Sequence, residues 1–551
     1  MDWSLIALLA GVTALLAAYT FWDARRRRAA LRRRIVHSFG QAPEDGAPRK
    51  LTGAWWQRLA DNAGPADVDE RTWQDLDMDE VFARLNICQS AVGEGYLYAA
   101  LHRPLAPADA ARRQALAQAL AAHEEARVAA QLALAGTGRK RGGDFSRLLF
   151  SPQFAVLKAP ALYLICGLLP LFCLAALGRP WGVPALVGAV CLNVLLCQRA
   201  KTKTAAWLDT LAYLSDVLRA GRGVHKALQP AAPHLCEKLG KALDSLSGAA
   251  GPLSWLVRTG QAGAEIAGSD FLIDVLNMVF LLPVLYYQRA VRALAAQPAA
   301  LEQLFCLLGE VELASCAASF AAGQAGPVCA PDFLPKNRLE AQEVRHPLLP
   351  QAVPNSGAFS RCALFTGSNA SGKSTFLKAL ALNALLAQTL GLCTARRFAL
   401  KAGPLPVLSS MAIADDLLAG ESYFVAELRS LRRVLQRADA GEEFLCFVDE
   451  ILRGTNTDER LAASQAVLRH LAGTGALCFV ATHDVELTGA LADVCDNYHF
   501  QEVVQNGAVA FDYLLRGGPA RGRNAIRLLD EMGFPPAVVA EARRLAPPPL
   551  S

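Results

Sequence analysis

The run from Thr366 to Thr375, TGSNASGKST, constrains the fold more than any other stretch of the chain. It sets Gly367, Gly372, Lys373 and Ser374 in the spacing Gly-x-x-x-x-Gly-Lys-Ser, after an apolar run (Cys362 to Phe365) and before a helix-like run (Phe376 to Leu392). Strand, glycine loop and helix in that order form a phosphate cradle. The glycines let successive backbone N–H groups turn toward phosphate oxygens, and the helix N-terminus adds partial positive charge. Lys373 is expected to reach the β- and γ-phosphates, and the Ser374 hydroxyl to ligate Mg²⁺. The flanks argue against a chance Gly/Ser turn, so the expected ligand is a nucleoside triphosphate.

From about Arg361 onward, apolar strands alternate with helical runs, an α/β pattern. The run Phe444 to Val448 ends in Asp449-Glu450. An acid at the end of a buried strand suits the second Mg²⁺ contact, here Asp449, and the adjacent Glu450 suits a general base acting on the attacking water. A further strand, Leu477 to Ala481, leads to Thr482-His483, where a γ-phosphate sensor would sit. Each pair alone is a weak signal. Three such sites at the ends of strands in order are strong, because open α/β sheets bind ligands at their carboxyl ends.

The 551 residues predict several domains, and 53% hydrophobic against 19% charged suggests membrane segments. The net charge of +5 is local. Seven arginines and one aspartate lie within 23–34; without them, 55 basic and 50 acidic residues become 48 and 49. The body of the chain is thus nearly neutral, with no broad footprint for nucleic acid. The fourteen cysteines lack ligand spacing and read as small hydrophobes in a reducing compartment.

Trp3 to Trp22 carries no charge and is long enough to span about 30 Å of hydrocarbon. The arginine cluster follows it, which predicts an uncleaved anchor, Met1 outside and the remainder in the cytoplasm. The cluster could grip nucleic acid, but beside a membrane helix a topology signal and anionic-lipid contact are favoured. Residues 36–71 read as linker and 72–158 as helical. Ala159–Gly178 and Trp181–Cys197, joined by Arg179-Pro180, predict a transmembrane hairpin with basic outer flanks, a buried helix pair being the alternative. Phe271 to Tyr287 reads as a core helix, since Asp274 in hydrocarbon would cost about 3 kcal/mol.

Four nucleotide-site segments, TGSNASGKSTFLKALALNALLAQTLG, ADDLLAGESYFVAELRSL, FVDEILRGTNTDE and FVATHDVELT, resemble those of the MutS family of mismatch-repair ATPases. LNICQSAVGEGYLYAALHRPL resembles the start of the family's helical core, and LLGEVELASCAASF with LEAQEVRHPLLPQAVPNS its return into the ATPase domain. The likeness covers 72–135 and 270–545. It implies an ABC-type Mg²⁺-dependent ATP hydrolase that works as a homodimer or heterodimer, each ATP being completed by the partner's signature segment. Here that segment is 415–422, with Gly420 and Ser422 meeting the γ-phosphate in trans. Asn369 matches the family's P-loop asparagine, Thr375 follows the Mg²⁺-binding serine, 455–457 match the subunit-facing loop and His483 the switch histidine. The tail, 511–545, resembles the helices that join subunits.

Departures accompany the likeness. Ser368 stands where the family usually has proline, Ser371 where it has glycine, and Cys393-Thr394-Ala395 replaces Val-Pro-Ala. The mismatch-reading domain is not expected in 1–71, and a membrane hairpin replaces the DNA clamp. The expected fold is therefore multidomain. It comprises an N-terminal transmembrane helix with basic flank (1–35), a linker (36–71), a mostly α-helical MutS-like core in two parts (72–158 and 199–345) around a hairpin (159–198), and a C-terminal α/β P-loop ATPase domain (346–551). The expected function is a membrane-anchored, ATP-gated dimeric clamp acting on DNA without mismatch preference, in the inner membrane. An ATP-switched scaffold acting on protein or lipid is the alternative. An ABC transporter half is disfavoured by the Ala-Gly-Glu-Ser signature and by having three spans.

Overall fold

The computed structural model describes residues 3–60, 62–150, 154, 157, 159–261, 275–368, 370–411, 423–505, 508–520 and 533–545. The chain is mostly helical up to Ala322 and carries an α/β part after it.

Two sheets build the C-terminal part. Strands β1 (Pro331–Leu334), β2 (Leu339–Val344), β3 (Asn355–Phe359) and β5 (Arg397–Lys401) form a four-stranded sheet in the order β1-β5-β2-β3. Strands β4 (Cys362–Thr366), β6 (Val407–Ser410), β7 (Phe444–Asp449), β8 (Ala476–Ala481), β9 (Cys495–His499) and β12 (Arg516–Gly517) form a six-stranded one, β12-β9-β4-β8-β7-β6. Five of these run parallel and β12 is antiparallel. β10 (Glu502–Gln505) and β11 (Ala508–Phe511) make a separate hairpin.

A parallel sheet must be covered on both faces, and its central strands β4, β7 and β8 are accordingly buried and apolar almost to their carboxyl ends. One face presents Phe365, Phe447 and Phe479 to the buried helix Lys373–Thr389; the Phe447 and Phe479 rings stack at 4.8 Å. The other presents Cys362, Cys446, Cys478 and Cys495 to the helices Tyr423–Asp439 and Thr457–Ala472. All fourteen cysteines are free, and eleven are buried.

Helix Pro298–Ala322 is the centre of the helical part, packing on Met78–Leu85, Ala91–His102, Pro107–Ala122 and Pro233–Ser245. It is long and apolar enough to cross a bilayer, but 78% of its most apolar window is buried by protein, so it is a core helix. Gly182–Leu228 passes the same test with only 22% of its window buried. With Pro160–Ala175 it forms the expected helix pair, whose outer surface exposes Ile165, Phe172, Val187 and Leu195. The charge-free stretch from Trp3 opens the helix Trp3–Ser38.

Two expectations need correction in detail. The stretch 36–71 is folded onto the core: it carries the helix Ala54–Ala60, buries Trp55 and Val68, and ion-pairs Arg49 with buried Glu94. Its Gly and Pro residues shape turns between apolar anchors. In the expected core helix 271–287, residues 271–274 lie outside the described residues, and the described part is interrupted. Leu281 adopts a left-handed backbone (φ 54°), just before the helix Leu282–Ala295 with Pro283 in its first turn. Pro283 has no N–H to donate to the Val279 carbonyl four residues back, and its ring crowds that carbonyl, so a helix does not run unbroken through 279–283. Buried Asn193, inside the apolar run, donates to the Val279 and Cys166 carbonyls, each at 2.7 Å, and so ties the break to both arms of the helix pair.

Candidate functional site

The site lies at the carboxyl ends of β4, β7 and β8. Register brings its parts together: Phe365 and Asp449 both lie opposite Ala481 on their neighbouring strands. The loop after β4, the Asp449-Glu450 pair after β7 and the Thr482-His483 pair after β8 therefore leave the sheet side by side.

The loop needs its glycines. Gly367 has φ 145°, and a Cβ there would stand 2.5 Å from the Phe500 carbonyl oxygen. Gly372, at φ 102°, ends the loop as the N-cap of Lys373–Thr389. Ser368 and Ser371 each hold a buried hydroxyl without a hydrogen-bond partner among the described residues. Such orphaned donors, with a cradle that a single Cβ would fill, fit the oxygens of a phosphate chain.

Lys373 is buried, and its Nζ donates to the Gly367 and Ser368 carbonyls at 2.8 Å each, 3.4 Å from His483 Nε2. Burial lowers its pKa to about 8, against the opposing pull of Asp449, Glu450 and Glu502. The Ser374 hydroxyl bonds Asp449, whose carboxyl burial pushes up. Together they supply two oxygen ligands of the kind Mg²⁺ accepts. Thr375, next along, is exposed.

Glu450 stands in left-handed backbone (φ 59°), with its N–H donating to the Ala481 carbonyl at 2.9 Å. One carboxylate oxygen meets His483 Nε2 at 2.9 Å and the other Arg453 Nε at 3.0 Å. The hydrogen bond from His483 is the chief reason its pKa lies below the usual range. Thus Asp449 is raised by burial while its neighbour is lowered by partners, and the two carboxylates are set apart chemically.

A cavity of about 420 Å³ joins these groups, lined by Ser371, Lys373, Ser374, Glu450 and His483 and also by Leu349, Val353, Phe376 and Tyr513. Gly367, Gly372, Lys373, Ser374, Asp449, Glu450 and His483 are therefore gathered in one place. Asn369, Gly420 and Ser422 lie outside the described residues. Sequence reasoning did not single out Tyr513, His346, Arg453 or Glu427. Asn355 holds Tyr513 toward the cavity by donating to its carbonyl at 2.9 Å and accepting from the Leu515 N–H at 2.7 Å. Glu427 is buried and accepts from the N–H groups of Leu452 and Arg453, fixing the turn after Glu450.

Residues 363–547 match the family described as MutS domain V. This part of the chain is similar to the MutS family. Every nucleotide-site residue expected from the sequence falls within the MutS match. Over 190 residues the chain is 36% identical to DNA mismatch repair protein MutS 2 of Haloarcula marismortui, covering 33% of this chain and 19% of that protein. Over 211 residues it is 34% identical to DNA mismatch repair protein MutS of Natronomonas pharaonis, covering 36% and 24%. Over 244 residues it is 32% identical to MutS 2 of Halobacterium salinarum, covering 42% and 28%. The chain thus spans between about a fifth and just over a quarter of the length of these MutS relatives.

Proposed function

We propose that the chain is a Mg²⁺-dependent ATP hydrolase of the MutS type, with each active site shared between two subunits. The observation that carries this reading is the meeting of Lys373, the Ser374–Asp449 pair and the Glu450–His483 pair at three neighbouring strand ends. The cavity that holds them has both polar and apolar lining, as a triphosphate joined to a flat base requires. ATP is the substrate. Mg²⁺, held by Ser374 and Asp449, supplies charge neutralisation on the phosphates. Lys373 leaves the Gly367 and Ser368 carbonyls to contact phosphate, and Glu450 takes the proton of the water that displaces ADP from the γ-phosphorus. His483 orients Glu450 and reports on the γ-phosphate. Gly420 and Ser422 of one subunit complete the other's site.

The membrane reading rests on the exposed apolar surface of the 160–197 helix pair and on the arginine cluster after Trp22. In it the protein is an inner-membrane, multi-pass protein with its ATPase domain in the cytoplasm. DNA is the partner that the relatives' names suggest, and the near-neutral body of the chain favours weak backbone contact without mismatch preference. The same neutrality favours, as the second reading, an ATP-switched scaffold for protein or lipid.

The decisive experiment mixes two inactive proteins. Lys373→Ala lacks a working P-loop and Ser422→Ala a working signature, so their heterodimer contains one intact site. Recovery of a substantial part of wild-type turnover on mixing is expected. No recovery at all, or full turnover by a demonstrated monomer, overturns the shared site.

A further inference from the structure

The cysteines of this chain come together in pairs. Cys88 meets Cys316 with 3.5 Å between sulfurs, Cys362 stands opposite Cys495 on β4 and β9, and Cys446 opposite Cys478 on β7 and β8. All six are buried, so an oxidant dissolved in water does not reach them. Cys329 and Cys393 make a further pair of a different kind: Cys393 is buried, but Cys329 is partly exposed. They stand directly opposite each other in an antiparallel bridge, each N–H donating to the other's carbonyl at 2.9 Å. Residues paired in this way have Cα atoms about 5.5 Å apart, within the range of roughly 4.4–6.8 Å that a disulfide spans.

The two thiols differ chemically. Burial holds Cys393 well above the ordinary thiol range. Cys329 lies below that range, chiefly because the Cys393 thiol hydrogen-bonds to its sulfur; burial opposes this, and the Phe398 N–H supports it. Cys393 Sγ also lies 3.8 Å from the Asn383 carbonyl, a long contact that competes weakly for the proton. A partly exposed sulfur that favours its thiolate, beside a second thiol, is the arrangement in which oxidation runs on to a disulfide. The pair also joins two distant parts of the chain. Cys329 lies between the end of the core helix Pro298–Ala322 and β1, and Cys393 between the end of Lys373–Thr389 and β5. Thr394, next along, donates its N–H to Asn383 Oδ1 at 2.6 Å and its hydroxyl to the Arg345 carbonyl at 2.8 Å, and accepts from the Arg345 N–H at 2.9 Å. Arg345 leads directly into the stretch that gives His346, Leu349 and Val353 to the cavity wall.

We propose that Cys329 and Cys393 are a modification site for hydroperoxides, oxidised reversibly to a disulfide that staples the exit of the helical core to the far end of the P-loop helix. The Cys329 thiolate attacks one peroxide oxygen, the O–O bond breaks, and Cys329 becomes a sulfenic acid while the other oxygen leaves as hydroxide or alkoxide. Cys393 sulfur then attacks Cys329 sulfur, the S–O bond breaks, and the departing hydroxyl takes the Cys393 proton and leaves as water. Two thiols have lost two electrons, and the peroxide has gained them. The loop so closed contains β1 to β4 and the helix Lys373–Thr389. A reducing compartment is compatible with this, since disulfides there are transient and report on oxidant.

The test uses the full chain in detergent, first reduced and then exposed to a small excess of hydrogen peroxide. The wild type is expected to lose two thiols and to yield, on peptide mapping, a Cys329–Cys393 disulfide that a dithiol reductant reopens. Cys329→Ser should form no disulfide, and Cys393→Ala should stop at a Cys329 sulfenic acid that dimedone traps. Cys329 should react at least about tenfold faster than Cys306, which is also partly exposed but whose pKa burial pushes up to about 11. Oxidation should raise the thermal midpoint of the wild type and not that of Cys329→Ser, because closing a long loop restricts the unfolded chain. The proposal is overturned if Cys329 reacts no faster than Cys306, or if its sulfenic acid persists in the wild type. A disulfide joining two chains through Cys329, or a midpoint unchanged or lowered by oxidation, overturns it as well.

Discussion

At Lys373 two opposing effects meet within one side chain. Burial disfavours the ammonium, the nearby carboxylates favour it, and burial prevails, leaving the pKa at about 8. Only the charged amine gives a charge-assisted contact to phosphate. ATP affinity should therefore be flat below about pH 7 and fall as pH rises through 8, by up to about tenfold per pH unit. Titrating a fluorescent analogue between pH 6.5 and 9.5 tests this, and Lys373→Ala should abolish the step. That variant should also bind about ten- to hundredfold more weakly at pH 7, for a contact worth about 1.5–3 kcal/mol. Glu450 is different, since its oxygens are held by His483 and Arg453 and it lines the cavity. Glu450→Ala should bind ATP normally but turn over about 10²- to 10⁴-fold more slowly, the usual worth of a general base, and accumulate as a nucleotide-loaded dimer on gel filtration.

The elements are joined where side chains are smallest. Helix Ala91–His102 crosses Pro298–Ala322 so closely that a Cβ on Gly309 would lie 2.4 Å from the Tyr96 ring, and one on Gly93 would lie 2.4 Å from the Glu312 carboxyl. The Tyr96 hydroxyl donates to Glu310 at 2.7 Å, and Arg113 joins Glu310 at 2.9 Å while donating to the Thr389 carbonyl at the end of the P-loop helix. This crossing thereby also anchors the far end of Lys373–Thr389. Gly309→Ala should cost about 1–3 kcal/mol by overpacking and lower the thermal midpoint. Gly251→Ala, in a helix where nothing lies within 4 Å of the new methyl, should leave it unchanged or slightly raised. Equal midpoints for the two variants would mean the crossing relaxes at no cost.

Across the whole molecule, the 47-residue helix Gly182–Leu228 begins in the exposed apolar pair and ends packed on the core, about 70 Å away at 1.5 Å per residue. If the pair spans a bilayer, the core and sheets stand beneath it on the basic side. Cysteines introduced one at a time at positions 2, 50, 180 and 540, in a background without the three cysteines that are not buried (Cys191, Cys306 and Cys329), should label from outside only at 2 and 180. Labelling of 180 from the cytoplasmic side would make the pair a buried element of a soluble assembly. For DNA, few phosphates can be neutralised by a body so close to neutral. The detergent-solubilised protein should bind matched and G·T-mismatched duplexes equally and weakly, and lose both at moderate salt. A tenfold preference for the mispair, about 1.4 kcal/mol, would contradict this.

What the sequence determined by itself is what lies in contiguous words. The loop from Gly367 to Ser374, the acids closing β7 and the histidine after β8 are each spelled within a few residues, because phosphate and metal chemistry demands fixed residue types at fixed local spacing. The apolar periods and charge-free runs were readable for the same reason. Folding alone decided the contacts between distant residues. Asp75 meets Met411, Asn355 meets Tyr513, and Asn193 meets Val279 across long stretches of chain, and nothing local to either partner announces the other. Leu281 belongs with these: proline and a polar partner from another helix overrode an apolar run that read as one helix. The pKa of Lys373 was likewise beyond the motif, since burial is a property of the packed protein and not of the lysine.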